Sequence, residues 1–478
     1  MGYSMRQAVR RLFCLAQNGV RLHAADCILD SGSLYASVLS KMKRLKTEPA
    51  VVQPTTRYAW TVVFMLWLIC FFNYADRQAI FSVFPLLQKE LSLSSVQLGL
   101  LGSAFAWVYG LSGPVAGLIV DRIQRRTAIL GGLQFWSIVC ALSALAHKFS
   151  HLIFFRAAEG LGESLYYPAS TSLISDYHAK QSRSRALGVL VTSVYAGTVG
   201  GGFWAAYMAE RYGWRISFLV LGVLGSVLGI ILLRFLREIP RGTADSLPQV
   251  QVSSSKARLK EVLSTPTALL LMAVFVCANF VALVLLSWMP AYLYERFHLS
   301  IARAALTATL CAQGGSVAGA FTGGWMADKL SARIPGGRLL TQAIGVLIGA
   351  PCVALCGYAG TLRGTMVLLI LWGFGKGIYD ANIFASAYDV ISPQSRGTTS
   401  GLMNCVGWAV GGGTAPLAVG IMASHYGLGA AISASSVAYV VAAVLLVVGA
   451  WVTLPRDLIR LRRTSGPDTA ASLEMDAA

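Results

Sequence analysis

Polar residues in this chain gather into short clusters separated by apolar runs of about 20 residues. A helix of that length crosses a hydrocarbon core of about 30 Å. The pattern predicts twelve helices, over 58–86, 96–120, 127–147, 151–176, 184–208, 215–235, 266–293, 301–327, 338–358, 363–390, 396–423 and 429–453. Between the sixth and seventh lies REIPRGTADSLPQVQVSSSKARLKE, a polar, Ser- and Pro-containing stretch that reads as a flexible linker over 236–265. The expected organisation is an N-terminal tail (1–57), a six-helix bundle (58–235), the linker, a second six-helix bundle (266–453) and a C-terminal tail (454–478).

Composition supports an all-α membrane protein. The chain is 55% hydrophobic and 13% charged, with a mean hydropathy of +0.62, where soluble domains carry about 25% charged residues. A net charge of +18 would suggest nucleic acid in a soluble protein. Here it is read as basic cytoplasmic loops, with the lipid bilayer and not nucleic acid as partner. With both termini placed in the cytoplasm, 29 of the 39 Lys and Arg fall on that side, 7 on the other and 3 inside helices. That bias predicts cytoplasmic termini. The nine cysteines are scattered and read as small apolar filler; even Cys352 and Cys356, one turn apart, lie in no metal-ligand pattern. No metal constellation, nucleophile elbow or nucleotide loop occurs, so neither an enzyme nor a cofactor is expected.

The chain repeats itself. GLSGPVAGLIVDRIQRR ends the second predicted helix and GGSVAGAFTGGWMADKLSAR the eighth, so Gly117 and Asp121 match Gly324 and Asp328 at a shift of 207. EGLGESLYYPA in the fourth corresponds to WGFGKGIYDAN in the tenth at a shift of 213, which also relates Arg183 and Gly188 to Arg396 and Gly401. ERYGWR has a partial echo in SHYGLG. Two pseudo-symmetric six-helix halves explain this, and such halves place a substrate site at their interface near the bilayer midplane.

The loop GLIVDRIQRR and its weaker copy GGWMADKLSAR resemble the helix 2–3 signature of the major facilitator superfamily, a resemblance covering about residues 58–453. Within it, NYADR, RAAEGLGESLYYPA, GWRISF and SWMPAYL are similar to the anion:cation symporter family. That resemblance implies carriage of organic anions such as sugar acids, often with protons, by a secondary active transporter of the bacterial inner membrane, expected to act as a monomer. NY-x-DR and the helix-four GxGE are also similar to the Spinster-like lipid transporters, which leaves an exporter of amphipathic compounds or lysolipids as an alternative. A non-transporting substrate sensor is a third reading.

Asp76 and Arg77 lie in the middle of the first apolar run, where each costs roughly 2.5–3.5 kcal/mol to insert. A buried Arg77 offers a planar fork of donors and, lacking a permanent partner, would attract a substrate anion; a structural ion pair with another helix is the alternative. Asp76 diverges from it by about 100° around the helix and, set among apolar neighbours, could carry a proton; Asn73, one turn earlier, could orient either. In the fourth segment Arg156, Gly160, Glu163 and Tyr167 form one stripe, with Glu159 and Tyr166 on its flank. Such a stripe should face a cavity or another helix. An Arg156–Glu159 structural pair is one alternative. The family resemblance implies Arg77 for the anion and Asp76 and Glu163 for protons. Lys376 and Asp380 read either as an i, i+4 salt bridge or as an anion contact released when Asp380 is protonated. Tyr379, Asn404, Tyr195, Trp408, Asn382, Asn279 and Trp288 are further cavity candidates.

The loop motif reads as a gate. Gly117 would permit close helix packing, and Asp121 would cap or pair with a neighbouring helix end. Arg122, Arg125 and Arg126 supply surface cations. Asp176 would pair with Arg122 or Arg126, and Asp328, Lys329 and Asp389 repeat the arrangement in the second half. Such pairs would latch one conformation. The clusters at 198–202 and 410–413 would let helices approach and slide.

Residues 1–57 are basic at first and weakly patterned. A disordered tail, a transit segment or an early start codon all fit, and Met42 opens a natural basic lead, so a miscalled start or dispensable tail is preferred. Deletion of residues 1–41 is therefore expected to leave uptake intact. Loss of membrane insertion at normal expression of the shortened chain would contradict this.

Overall fold

The computed structural model describes residues 56–244 and 255–464. The expectations for the N-terminal tail up to residue 55, for 245–254 and for 465–478 lie outside these. The described residues are helical throughout, without strands. The first half comprises α1 (Thr56–Ser82), α2 (Phe84–Leu91), α3 (Ser95–Arg122), α4 (Arg125–Ser143), α5 (Phe149–Glu163), α6 (Tyr166–Tyr177), α7 (Lys180–Tyr212) and α8 (Trp214–Phe235). After α9 (Ser255–Leu263) the second half follows with α10 (Pro266–Phe297), α11 (Ile301–Ser331), α12 (Gly337–Cys356), α13 (Leu362–Asp380), α14 (Ile383–Tyr388), α15 (Arg396–Val406) and α16 (Gly413–Tyr426). It closes with α17 (Leu428–Ala434), α18 (Ser436–Val448) and α19 (Leu454–Thr464). π-helical turns over Gly407–Gly412 and Gly449–Thr453 join α15 to α16 and α18 to α19.

Among the described residues nine helices are long and apolar enough to cross a membrane. The expected segments 127–147, 151–176 and 301–327 are helical but fall outside that group. The reasons are local. The middle segment is broken at Ser164–Leu165: Pro168 cannot donate to the Ser164 carbonyl and its ring crowds it. α4 begins with two arginines, and α11 is rich in Gly, Ala, Ser and Thr, which pack against protein: a Cβ on Gly319 would lie 1.9 Å from the Phe374 carbonyl oxygen of α13.

The sequence repeat is a structural repeat. Ser94 and Ser300 cap α3 and α11, accepting from the backbone N–H of Gln97 and Arg303. Gly213 and Gly427 turn the chain at φ of 89° and 80°, conformations that suit glycine. The linker departs from expectation: it carries α9, and its first residues are fastened to the first half, where Arg241 donates to the carbonyls of Val120 and Ile123.

The first and last six expected segments meet at the end that holds Ser95 and Gly420. A Cβ on Gly99 would lie 2.3 Å from the Pro416 carbonyl oxygen, and one on Gly420 2.4 Å from that of Ser95. Ala206 of α7 packs with Ile301, Ala302 and Ala305 of α11. Gly113, Gly117, Gly397 and Gly401, toward the ends bearing the loop motifs, would carry a Cβ with nothing within 4 Å. Gly117 thus packs against no helix in this conformation, contrary to the close contact expected of it. Glycines of the 198–202 and 410–413 clusters do mark close approaches, Gly201 to Ala75 and Gly411 to Val276.

Because the Gly99–Pro416 contact joins the halves rather than the interior of either, Gly99→Val should leave the chain folded and force this seam apart. Spin labels at Gln97 and Ser424 are expected to report a longer distance than in the parent. An unchanged distance would contradict the seam.

Candidate functional site

The polar residues of α1 and α5 converge beneath the seam. Arg77 is buried, and its Nε donates to Glu163 Oε2 at 2.5 Å. Arg77 therefore has a protein partner on another helix, the alternative anticipated from sequence to an unpaired guanidinium; an isolated cation here would be too costly. Glu163 Oε1 and Arg77 Nη1 nevertheless remain buried without a hydrogen-bond partner. Four aromatic rings enclose the guanidinium, with centroids at 4.8 Å (Tyr74), 5.1 Å (Phe105), 4.2 Å (Tyr109) and 5.2 Å (Trp408). Their quadrupoles favour a cation at these distances. Trp408 belongs to the second half and meets Tyr109 edge-on at 5.2 Å, so both halves build the enclosure. α5 reaches α3 closely because position 160 is glycine: a Cβ there would lie 2.7 Å from the Phe105 carbonyl oxygen.

Asp76 does not sit among apolar neighbours. Cys140 Sγ donates to its Oδ1 at 3.1 Å, while Oδ2 is buried and unpartnered. Asp76, Cys140 and Glu159 bring ligand atoms within 4.8 Å of one another. Arg156 pairs with Glu159, the i, i+3 alternative anticipated from sequence, and stacks on Phe105 at 4.7 Å. Its Nε and Nη2 are left without partners.

The remaining candidates divide. Tyr166 is buried with its hydroxyl donating to the Leu66 carbonyl at 2.6 Å, a tie between helices, whereas Tyr167 is exposed. Lys376 pairs with Asp380 on α13, and Tyr195 of the first half lies within its electrostatic reach. Buried Asn73 Nδ2 and Tyr379 Oη have no hydrogen-bond partner. Asn404 and Asn279 bond to carbonyls of their own helices, Ser400 and Phe275. Asn382 bonds to Gly323 and Ile378, and Trp288 to the Pro416 carbonyl. Tyr74, Phe105 and Tyr109 escaped the sequence reading because isolated aromatics in apolar helices carry no signal; the i, i+3 spacing of Tyr74 to Arg77 was the available hint.

At the end bearing the loop motifs Asp176 pairs with Arg125, not with Arg122 or Arg126 as expected. Arg125 is the buried arginine of the motif and also donates to Glu238 at 2.8 Å and to the Ile239 carbonyl at 2.6 Å. Arg126 contributes its backbone N–H to Glu238 and its side chain to the Leu233 carbonyl. Asp121 is exposed, 4.0 Å from Arg241. In the second half Arg338 lies 2.6 Å from Asp389 and 3.8 Å from Asp328. Arg338 stands 213 positions after Arg125, the shift that relates Asp389 to Asp176, and this register could have identified it. Lys329 instead stacks on Trp325 at 4.9 Å. Glu261 of α9 accepts from the Ser392 N–H and from the hydroxyls of Ser392 and Ser395. Burial alone would raise its proton affinity, but these donors hold it below the ordinary glutamate range. The anchor is therefore present above that range and lost as pH falls through its lowered value.

Arg125→Ala strands Asp176 and Glu238 together, a loss on the order of 3 kcal/mol for a buried ion-pair network. The thermal midpoint should fall clearly while ligand affinity, measured on the folded fraction, stays within a few-fold. A loss of affinity at unchanged stability would move Arg125 into the binding site.

Residues 66–416 match the profile of the Major Facilitator Superfamily. Curated relatives include the hexuronate transporter of Bacillus subtilis (strain 168), 24% identical over 72% of this chain and 83% of that protein. The probable galactarate/D-glucarate transporter GudP of the same organism is 27% identical over 80% and 90%. The probable anion transporter 4, chloroplastic, of Oryza sativa subsp. japonica is 28% identical over 81% and 69%. Among solved structures, a bacterial homologue of the human lysosomal transporter Spinster, inward-facing and occupied, superposes with a TM-score of 0.75 at 23% identity, over 84% of this chain and 99% of that one; this likeness speaks to fold alone. These matches agree with the NYADR and loop-motif resemblances, and the chain belongs to the major facilitator superfamily as a membrane transporter.

Proposed function

We propose that this transporter takes up a small organic anion, a sugar acid or other carboxylate, together with protons, by alternating access across a bacterial inner membrane. The observation that carries the reading is the Arg77 guanidinium, enclosed by aromatic side chains of both halves and retaining an unpartnered Nη1 donor. A planar cation with a free donor suits a carboxylate. The two-sided enclosure makes binding sensitive to the relative position of the halves. Relatives named for hexuronate and galactarate/D-glucarate support the substrate class. Asn73, Tyr167, Arg156, Lys376, Tyr379 and Asn404 are the further candidates for substrate contact, with Tyr166 supporting from behind. Asp76, Glu163 and Asp380 are assigned to protons: a carboxylic acid is the group that can change charge as a substrate anion arrives. Gly117, Asp121, Arg122, Arg126, Asp176, Asp328, Lys329 and Asp389 belong to the gate. The reading includes twelve crossings, the three beyond the nine apolar helices packing mostly against protein, with both termini cytoplasmic and a monomer as the working unit.

Proteoliposomes test this. Arg77→Ala should abolish binding of the transported sugar acid, and Arg77→Lys should restore part of it, since a point charge lacks the fork. Asp76→Asn and Glu163→Gln should retain counterflow while at least one loses accumulation driven by a proton gradient. Wild-type affinity in Arg77→Ala, or gradient-driven accumulation in both carboxyl variants, would overturn the assignment.

A further inference from the structure

Charge does not balance pairwise around Asp76. Three buried carboxyl groups, Asp76, Glu159 and Glu163, share two buried guanidiniums, Arg77 and Arg156. Glu163 takes Arg77, and Glu159 takes Arg156 through Nη1 alone. Asp76 is left with a thiol donor, and its Oδ2 has none. Yet the two unused arms of Arg156, Nε and Nη2, are also buried and unpartnered. Glu159 and Asp76 bring oxygens within 4.8 Å of each other. An orphaned acceptor and two orphaned donors thus lie in one buried cluster, Arg156 paired with Glu159 and Asp76 within 4.8 Å of it.

We propose that Glu159 is a positioning residue that competes with Asp76 for Arg156, so that the guanidinium passes from one carboxylate to the other during the transport cycle. In the conformation described here Glu159 holds Arg156, and Asp76 is free to carry a proton. When Asp76 gives up that proton, its carboxylate needs a cation, and Arg156 is the one at hand. Asp76 is faced by Arg156, Glu159 and Glu163 from α5, by Cys140 from α4 and by Arg77 along α1. α7 contributes Gly201 against Ala75, and α8 the Phe218 carbonyl that receives Cys140. Ser143 lies at hydrogen-bond distance from Glu159, 3.5 Å.

The transport arm of the test rests on the proton-coupled reading above; the stability arm does not. In Glu159→Gln, Arg156 is released to Asp76, whose carboxylate then accepts a proton only from a more acidic medium. The pH profile of gradient-driven uptake should shift by about one pH unit to the acid side, the usual scale for a new opposite charge, and Glu159→Asp should recover part of the shift. For stability, thermal midpoints are measured for Asp76→Asn, Glu159→Gln and the double variant. Each single variant leaves Arg156 one carboxylate; the double leaves none. The double should lose more than the sum of the singles, and the excess should vanish when Arg156→Gln is added. Additive losses, or a pH profile superimposable on the parent's in a folded, proton-driven Glu159→Gln, would overturn the proposal. Wild-type uptake indifferent to a proton gradient would sink the coupling reading instead, and the stability cycle would then decide the competition for Arg156.

Discussion

A guanidinium held away from water must be answered by an anion, and the structure around Arg77 follows from that requirement. Removing an ion from water costs several kcal/mol even after relaxation. Glu163 supplies the answer from the last residue of α5, immediately before the chain breaks at Ser164–Leu165 under the constraint of Pro168. Gly160 lets α5 approach α3 closely enough for the Phe105 ring to meet both Arg77 and Arg156. One proline, one glycine and one phenylalanine thus convert a polar helix face into a compact set of compensated charges. The compensation is incomplete, since Arg77, Arg156, Asp76 and Glu163 each keep a buried atom without a partner. Unused capacity of this kind is costly in a structural core and useful in a site that receives an ion.

The same duplication that built the fold distributes its constraints. Arg125 with Asp176 and Arg338 with Asp389 hold equivalent places in the two halves, as do the turn glycines 213 and 427 and the capping serines 94 and 300. The charged cluster does not follow the symmetry: Glu163 corresponds to Lys376 at the shift of 213. Equivalent scaffolds thus carry different interior charges in the two halves. Glu261 and Arg241 show that the connection between them is also tied down at points, to the Ser392–Ser395 turn and to the end of α3.

Much of this was legible in the chain. Apolar run length located the helices to within a few residues, and the internal repeat pointed to two halves. The positions of Asp76, Arg77 and Glu163 stood out because charge is expensive in an apolar run. What escaped has a common cause. The pairing of Arg77 with Glu163, the Cys140 thiol beside Asp76 and the choice of Arg125 over Arg122 and Arg126 by Asp176 depend on helix rotation and on contacts across 50 to 90 residues of sequence, which periodicity does not encode. Tyr74, Phe105 and Tyr109 were hidden among the many aromatics of apolar helices. α4, α5 with α6, and α11 fall outside the nine apolar helices because their sequences carry arginines, a break or many small residues.

The wide turn at Gly407–Gly412 places Trp408 inside a stretch where hydrogen bonds run from each residue to the fifth before it. Such a turn holds one residue more than its neighbours need. If it tightens to the ordinary helical pattern, the surplus residue must be absorbed along the helix, and the ring of Trp408 swings about the axis by roughly 100°, the angle per residue of an α-helix. The glycines at 407 and 411 seat this turn directly against Phe275 and Val276 of α10, so its register against that helix fixes where the ring of Trp408 points. The one second-half ring of the Arg77 enclosure thus owes its position to the surplus residue of a single wide turn.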